Sequence, residues 1–302
     1  MNTRFVIMGL PASGKTTFLA ALWHLIAGGD ETKCRLTLER LDGDKSYLNE
    51  IGSAWRSFTE VPRTSQLSPM DVAIQLKDCH TGISGTARFP DLAGEVYDRQ
   101  IAERRCRAEF LEEISSDNGI LFFISADVTD ATESFSVLEF NAQSTFAINA
   151  KNTIDSKMVG EITGGDGPPP PNDFQEWEPK HLPTQVKIVQ LLSDLLCPPF
   201  EPRCRRLAVM ISAWDLTEPM MYEPQEWLAK EMPLVDQFLR ANELVFKYRI
   251  YGVSAQGVNL KNHEAVEQLA DRTPSERIQI IGPDCDKHDL TAPLVWLMSA
   301  AE

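Results

Sequence analysis

The sequence predicts an α/β protein in three layers, with helices on both faces of a mainly parallel sheet and one antiparallel hairpin at an edge. Three observations carry this. Short apolar runs ended by Gly, Asp or Ser alternate with segments of helical period. The first run breaks into a glycine loop, GLPASGKTT, and then directly into a helical pattern. Two later runs are joined only by His80-Thr81-Gly82-Ile83-Ser84, a turn too tight for a crossover helix.

In chain order, strands are expected at Arg4 to Gly9, Arg35 to Leu41, Met70 to Lys77, Gly85 to Pro90, Gly119 to Ala126, Arg206 to Ala213 and Phe246 to Val253. The Met70 and Gly85 runs form the hairpin. Between the strands, Lys15 to Ala27 places Phe18, Leu22, Leu25 and Ile26 on one helical face. Leu182 to Leu196 repeats apolar residues at three and four (Val186, Val189, Leu192, Leu196), and Trp227 to Leu239 does so with Trp227, Met232, Val235 and Leu239. From 129 to 183 the chain is polar and passes through Gly164-Gly165-Asp166-Gly167 into the prolines Pro168 to Pro171, which join neither ladder nor helix. This reads as a surface insertion in a single domain spanning 1–302, with a second, smaller candidate insertion at 258–288. A polyproline segment of this kind is a solvated spacer or a ligand for an aromatic groove.

Composition bounds the function. The 302 residues are 43% hydrophobic and 24% charged, enough to bury a real core, and the net charge of −15 lacks the positive field that dominates nucleic-acid binding. Nucleic acid and anionic membranes are therefore not expected partners. The six cysteines form no CxxC pair and none of the clustered spacing of zinc sites, so they read as reduced thiols. No stretch resembles a secretory leader, and none approaches the roughly 18–20 apolar residues of a bilayer crossing. A soluble, cytoplasmic protein is expected.

Gly9 to Thr16 satisfies G-x-x-x-x-G-K-[ST] without a mismatch, between a predicted strand and a predicted helix. The loop residues Gly9, Pro11, Ala12, Ser13, Gly14, Lys15, Thr16 and Thr17 are assigned to nucleotide binding. Glycines at both ends let the backbone curl so that successive N–H groups face phosphate oxygens, and the helix start adds its positive end. Lys15 can reach the outer phosphates and the Thr16 hydroxyl can ligate magnesium. After the strand Gly85 to Pro90, FPDLAGE places Asp91 where a carboxylate can hold magnesium's water shell, and Gly94 where an N–H can contact a terminal phosphate. SAWD ends the strand Arg206 to Ala213, and Asp215 there can accept two hydrogen bonds from a guanine edge. In YGVSAQG the Ser254 and Ala255 backbone can close over the same base.

GLPASGKT, DLAG, SAWD and SAQ come in the order seen in the Ras-like, translation-factor-related (TRAFAC) P-loop GTPases, which this chain resembles over all but 129–183 and 258–288. The opening MGLPASGKTTFLAALWHLI and the closing DLTAPLVWLM look more narrowly like the bacterial double-GTPases of multi-gene conflict or defence systems. The resemblance implies GTP and GDP as ligands, magnesium as cofactor, and a switch that changes affinity for an effector, with an activating or exchange protein as a further partner. It also exposes departures. Ser212 and Ala213 replace the asparagine and lysine of the family's base motif, and Trp214 either stacks in their place or is core. Glu95 stands where a glutamine usually orients the attacking water; it either acts on water or starts the next helix. Slow or partner-stimulated hydrolysis follows from that substitution.

The switch threonine is placed at Thr64 in VPRTSQ, with Thr59 second, and Arg63 is either an internal charge-stabilising arginine or a surface residue. The segment Tyr97 to Ile114 carries Arg99, Arg104, Arg105 and Arg107. These face a partner or form helix pairs, Arg99 with Glu103 and Arg105 with Glu109. The assigned roles are Lys15, Glu95 and Arg63 in catalysis, Thr16, Thr64 and Asp91 on the metal, and the phosphate loop with Gly94, Ser212, Asp215, Ser254 and Ala255 on the nucleotide. Rival readings are a P-loop kinase or ATPase, for which DLAG and SAWD have no role, and a scaffold that binds nucleotide without hydrolysing it.

Overall fold

The computed structural model describes residues 3–29, 34–62, 72–90, 95–116, 119–127 and 182–299. Eight strands form one sheet: β1 (Thr3–Gly9), β2 (Leu36–Asp42), β3 (Val72–Asp78), β4 (Ser84–Phe89), β5 (Gly119–Ser125), β6 (Arg205–Ser212), β7 (Phe246–Ser254) and β8 (Gln279–Ile281), in the order β2-β3-β4-β1-β5-β6-β7-β8. The strands from β4 through β1, β5 and β6 to β7 are parallel. The expected hairpin is present as β3 against β4, with β2 antiparallel outside it, and β8 runs antiparallel to β7 at the other edge. From β1 the chain first builds one side of the sheet and then, from β5, the other. The crevice at the carboxyl ends of β1 and β5 is therefore the switch point at which open α/β sheets bind ligands.

The central strands are buried on both faces, and their alternation deals side chains to two cores. Phe5 and Ile7 of β1, with Leu121 and Phe123 of β5, join the core under α1 (Lys15–His24), α2 (Lys45–Arg56) and α10 (Ala292–Met298). Val6, Met8, Ile120 and Phe122 face the other, under α3 (Glu95–Glu103), α4 (Ala108–Ser116), α5 (Thr184–Asp194), α6 (Pro224–Glu231) and α7 (Pro233–Ala241). Such runs are apolar without a gap because neither face meets water.

Three elements differ from the sequence expectation. The first helix is buried well beyond the expected stripe, with Leu19, Ala20, Ala21 and Trp23 also covered, because α2 packs on its outer side and Trp23 Nε1 donates to Asn49 Oδ1 at 3.0 Å. The α-helix ends at His24 and continues as a π-turn, Leu25–Gly29. The period from Trp227 to Leu239 is not one helix: Pro233 has no N–H to continue α6 and restarts the chain as the first residue of α7. The arginine-rich stretch likewise breaks at Arg104, whose φ is +56°, so Arg105 and Glu109 are not one turn apart on a continuous helix.

Residues 258–288 extend the fold with α8 (His263–Ala270), α9 (Pro274–Arg277) and β8. Of the polar stretch 129–183, only residues 182 and 183 fall within the described residues. All six cysteines are free thiols, with Cys79, Cys197 and Cys204 exposed. Among the described residues no helix is long and apolar enough to cross a membrane.

Candidate functional site

The glycine loop leaves β1 at the switch point and turns into α1. Gly9 has φ +152°, and a Cβ there would stand 2.6 Å from Ser13 Oγ and 2.8 Å from the Phe123 carbonyl oxygen. Gly14 has φ +88°, and a Cβ would stand 2.7 Å from the Ser212 side chain. Glycine at both ends is thus required twice, by a left-handed backbone and by close approach. Ala12 is also left-handed, at φ +58°. Phe18 meets Phe123 edge to face at 5.0 Å and fixes the first turn of α1 on the sheet.

Lys15 is 3% exposed. Its Nζ donates to the carbonyls of Gly9 at 2.8 Å and Leu10 at 2.9 Å and to Ser13 Oγ at 3.4 Å, which holds the ammonium inside the loop's curve. Thr16 and Thr17 follow, both half-buried.

The loops after β6 and β7 come to the same place. A cavity of about 360 Å³ is lined by Ala12, Gly14 and Thr17 from the glycine loop and α1, by Ser212, Ala213 and Asp215 after β6, and by Ala255 after β7. Ser254, 2% exposed, donates from Oγ to Asp215 Oδ1 at 2.5 Å and fixes that carboxylate. Trp214 is resolved as core. It is 5% exposed, meets Trp227 edge to face at 6.3 Å, and lies so close over Gly252 that a Cβ there would stand 2.3 Å from its ring.

Side chains that sequence reasoning did not single out share this cavity: Ser125 and Asp127 at the end of β5, and Gln256, Asn259 and Lys261 beyond β7. Lys261 is the one cation among the described lining residues. The signal was available in part, since Gln256 belongs to the SAQ motif, but Asp127 and Lys261 are joined to the site only by the packing of the sheet. A smaller cavity, about 240 Å³, lies against the same loop on the side of α3 and α5.

Asp91, Gly94, Arg63 and Thr64 lie outside the described residues, as does the side chain of Glu95, which is the first residue of α3. Thr59 is exposed after α2, its N–H bonded to the Ala54 carbonyl at 2.9 Å. Of the four arginines, Arg104 pairs with Asp194 at 2.9 Å and Arg107 donates to the Pro90 carbonyl at 2.9 Å, while Arg99 and Arg105 are exposed. With Lys187 on Asp98 at 3.2 Å, these contacts moor α3 and its following turn to α5 and to the end of β4.

The family model described as Double-GTPase 1 matches residues 6–297. Among solved structures, the GTPase-like domain of S. cerevisiae Ski7, bound to GTP, is similar at 12% identity and a TM-score of 0.40, the match covering 85% of this chain and 43% of that one. An Era variant from Aquifex aeolicus bound to GDP and aluminium fluoride is similar at 14% identity and a TM-score of 0.33, covering 91% of this chain and 58% of that one. The chain spans less than two thirds of either neighbour. No curated protein matches.

Proposed function

The chain belongs to the Double-GTPase 1 family, and from that premise we propose that it is a GTP-binding switch that hydrolyses GTP to GDP and phosphate slowly. The observation that carries this reading is the single cavity shared by the glycine loop, Asp215 and Ala255. The loop and Lys15 take the phosphates, and the cavity takes the base. A carboxylate held by Ser254 accepts from the N–H donors of a guanine edge. Adenine lacks that pair of donors and leaves the carboxylate's base-facing acceptors unmet, and a partly buried polar group short of its partner is a strong means of rejecting an analogue.

Magnesium belongs to the same proposal, and Thr16 is the assigned ligand that lies among the described residues. Thr16 sets a hydroxyl on the first turn of α1 beside Lys15, and hydroxyl and carboxylate oxygens are the ligands this cation takes. Asp91 and Thr64 are proposed to complete its surroundings. When bound, the ion neutralises charge on the outer phosphate oxygens. Glu95 in place of a neutral amide puts negative charge beside the growing charge of hydrolysis, which supports a low intrinsic rate raised by a partner's arginine. Gain and loss of the terminal phosphate would order and release Thr59 to Thr64 and Asp91 to Arg107, changing affinity for an effector protein. A place in a bacterial multi-protein conflict system, implied by the resemblance of the opening and closing segments, is part of the same proposal.

The deciding experiment measures binding of GTP, GDP and ATP with magnesium to the chain and to Asp215→Asn, with phosphate release followed in parallel. Guanine preference that disappears in the variant supports the reading. Equal or tighter ATP binding overturns it in favour of the kinase or ATPase, and guanine binding without phosphate release leaves a non-hydrolysing scaffold.

A further inference from the structure

Trp55 and Arg277 are not among the described residues that line the cavity, yet they join two segments on which the proposed switch depends. Trp55, fully buried in the last turn of α2, donates from Nε1 to the Ala255 carbonyl at 2.9 Å. In return, Gln256 Nε2 donates to the Trp55 carbonyl at 3.4 Å.

Arg277 is 2% exposed and, among the described residues, pairs with no carboxylate. Its guanidinium lies 4.7 Å from the Trp55 ring centroid and 3.9 Å from that of Phe58. Its Nη2 donates to the carbonyls of Trp55 at 3.4 Å and Arg56 at 3.5 Å, at the negative end of α2, where the Trp55 carbonyl also accepts from the Phe58 N–H. The base loop also rests on Arg277. Gly257 has φ +80°, and a Cβ there would stand 2.3 Å from the Arg277 carbonyl oxygen.

A buried guanidinium with no counter-charge among the described residues is costly there, and an aliphatic side chain would fill the space more cheaply. What the cation supplies is a hold on the exit of α2. There Phe58 turns left-handed at φ +54°, and the chain runs through residues 59–62 towards Arg63 and Thr64.

We propose that Trp55 and Arg277 are positioning residues that couple the base loop, 254–257, to residues 57–62. On the GTP-binding reading, on which this rests, a base seated against Ala255 restrains the approach to the first switch without help from a terminal phosphate. The phosphate-loop helix also reaches Trp55, through His24 at 5.2 Å between ring centroids. Trp55→Phe therefore separates the two routes, because it keeps an aromatic ring against His24 and removes the donor to Ala255, at a cost in buried volume that leaves the His24 contact in place.

The test is amide hydrogen exchange of residues 57–62 with and without saturating GDP, which carries no terminal phosphate, in the wild type, Trp55→Phe and Arg277→Gln. GDP slows exchange there about fivefold or more in the wild type, the lower end of ordinary coupling between sites. In both variants the effect falls below about twofold while GDP still binds. Variants that keep the full response overturn the inference, and should Arg277→Gln fail to fold, Trp55→Phe alone decides. Wild-type chain that binds GDP without slower exchange at 57–62 refutes the coupling alone. A chain that binds no guanine nucleotide refutes the functional reading, and the coupling with it.

Discussion

Lys15, inside the glycine loop, and Asp215, in the cavity beside it, carry opposite charges, and each is held by neighbours that can be removed separately. Lys15 has its ammonium bonded to the Gly9 and Leu10 carbonyls, so Lys15→Ala removes a cation and leaves buried acceptors unpaired. Charge-assisted bonds are worth about 1.5–3 kcal/mol each, so nucleotide affinity should fall by about a hundredfold or more, with about 1–3 kcal/mol of stability lost as well. Titration calorimetry and urea unfolding separate the two effects; wild-type affinity in this variant would remove the phosphate loop from the site. Ser254→Ala frees the Asp215 carboxylate to rotate while leaving its charge. Loss of one such bond is worth about 1 kcal/mol, or roughly a fivefold weaker grip on GDP, with ATP binding unchanged. An unchanged GDP affinity would show that Ser254 does not orient the base contact. Trp214 sits next to Asp215 in sequence but belongs to the core over Gly252. Trp214→Phe is therefore expected to cost about 1–3 kcal/mol of folding stability and to weaken GDP less than Ser254→Ala does.

Among the elements, the β3–β4 hairpin is closed by one residue. Asp78, with its side chain 4% exposed, takes a two-pronged bond from Arg35 at 2.9 and 2.7 Å and also accepts from the His80 N–H and the Thr81 hydroxyl. The Arg35 guanidinium holds the Asp78 carboxyl well below the usual carboxylate range. A depressed folded value means stability that is fully present above the unfolded value, about 3.9, and is lost as pH falls through the folded one. Asp78→Asn should lower the unfolding free energy by about 2–3 kcal/mol at neutral pH, and the gap to wild type should close progressively below about pH 4. A gap that stays constant into strong acid would mean that the hairpin depends on the turn's hydrogen bonds and not on the ion pair. This hairpin was legible in the sequence because its turn is local, and the phosphate loop was legible for the same reason. The break at Pro233 was hidden because Met232 and Val235 keep the apolar spacing across it. The strand β8 has only three residues, too few for any period. Lys261, Asp127 and the Trp55–Arg277 contact depend on chain segments brought together by the sheet, which no local pattern encodes.

Over the whole molecule, the sheet order explains why motifs far apart in sequence could be assigned to one site: residues 9–17, 212–215 and 254–255 all begin at the ends of parallel strands whose carboxyl ends lie along the same edge of the sheet. It also sets a contest between two fields. The net charge of −15 repels a nucleotide phosphate at long range, whereas Lys15, the start of α1 and Lys261 attract it at short range. Their reach differs from their strength. At about 0.01 M salt the screening length is roughly 30 Å, comparable to the whole protein, and the acidic surface acts on the approaching ligand; at about 0.15 M it is near 8 Å, and only the cavity's own charges remain. The association rate of GDP should therefore rise between these two salt concentrations, the reverse of what a nucleic-acid-binding protein shows. Stopped-flow mixing with a fluorescent guanine nucleotide would measure it. A rate that falls with salt would mean that the local positive field already dominates at long range and that the acidic residues lie on the side of the protein away from the site.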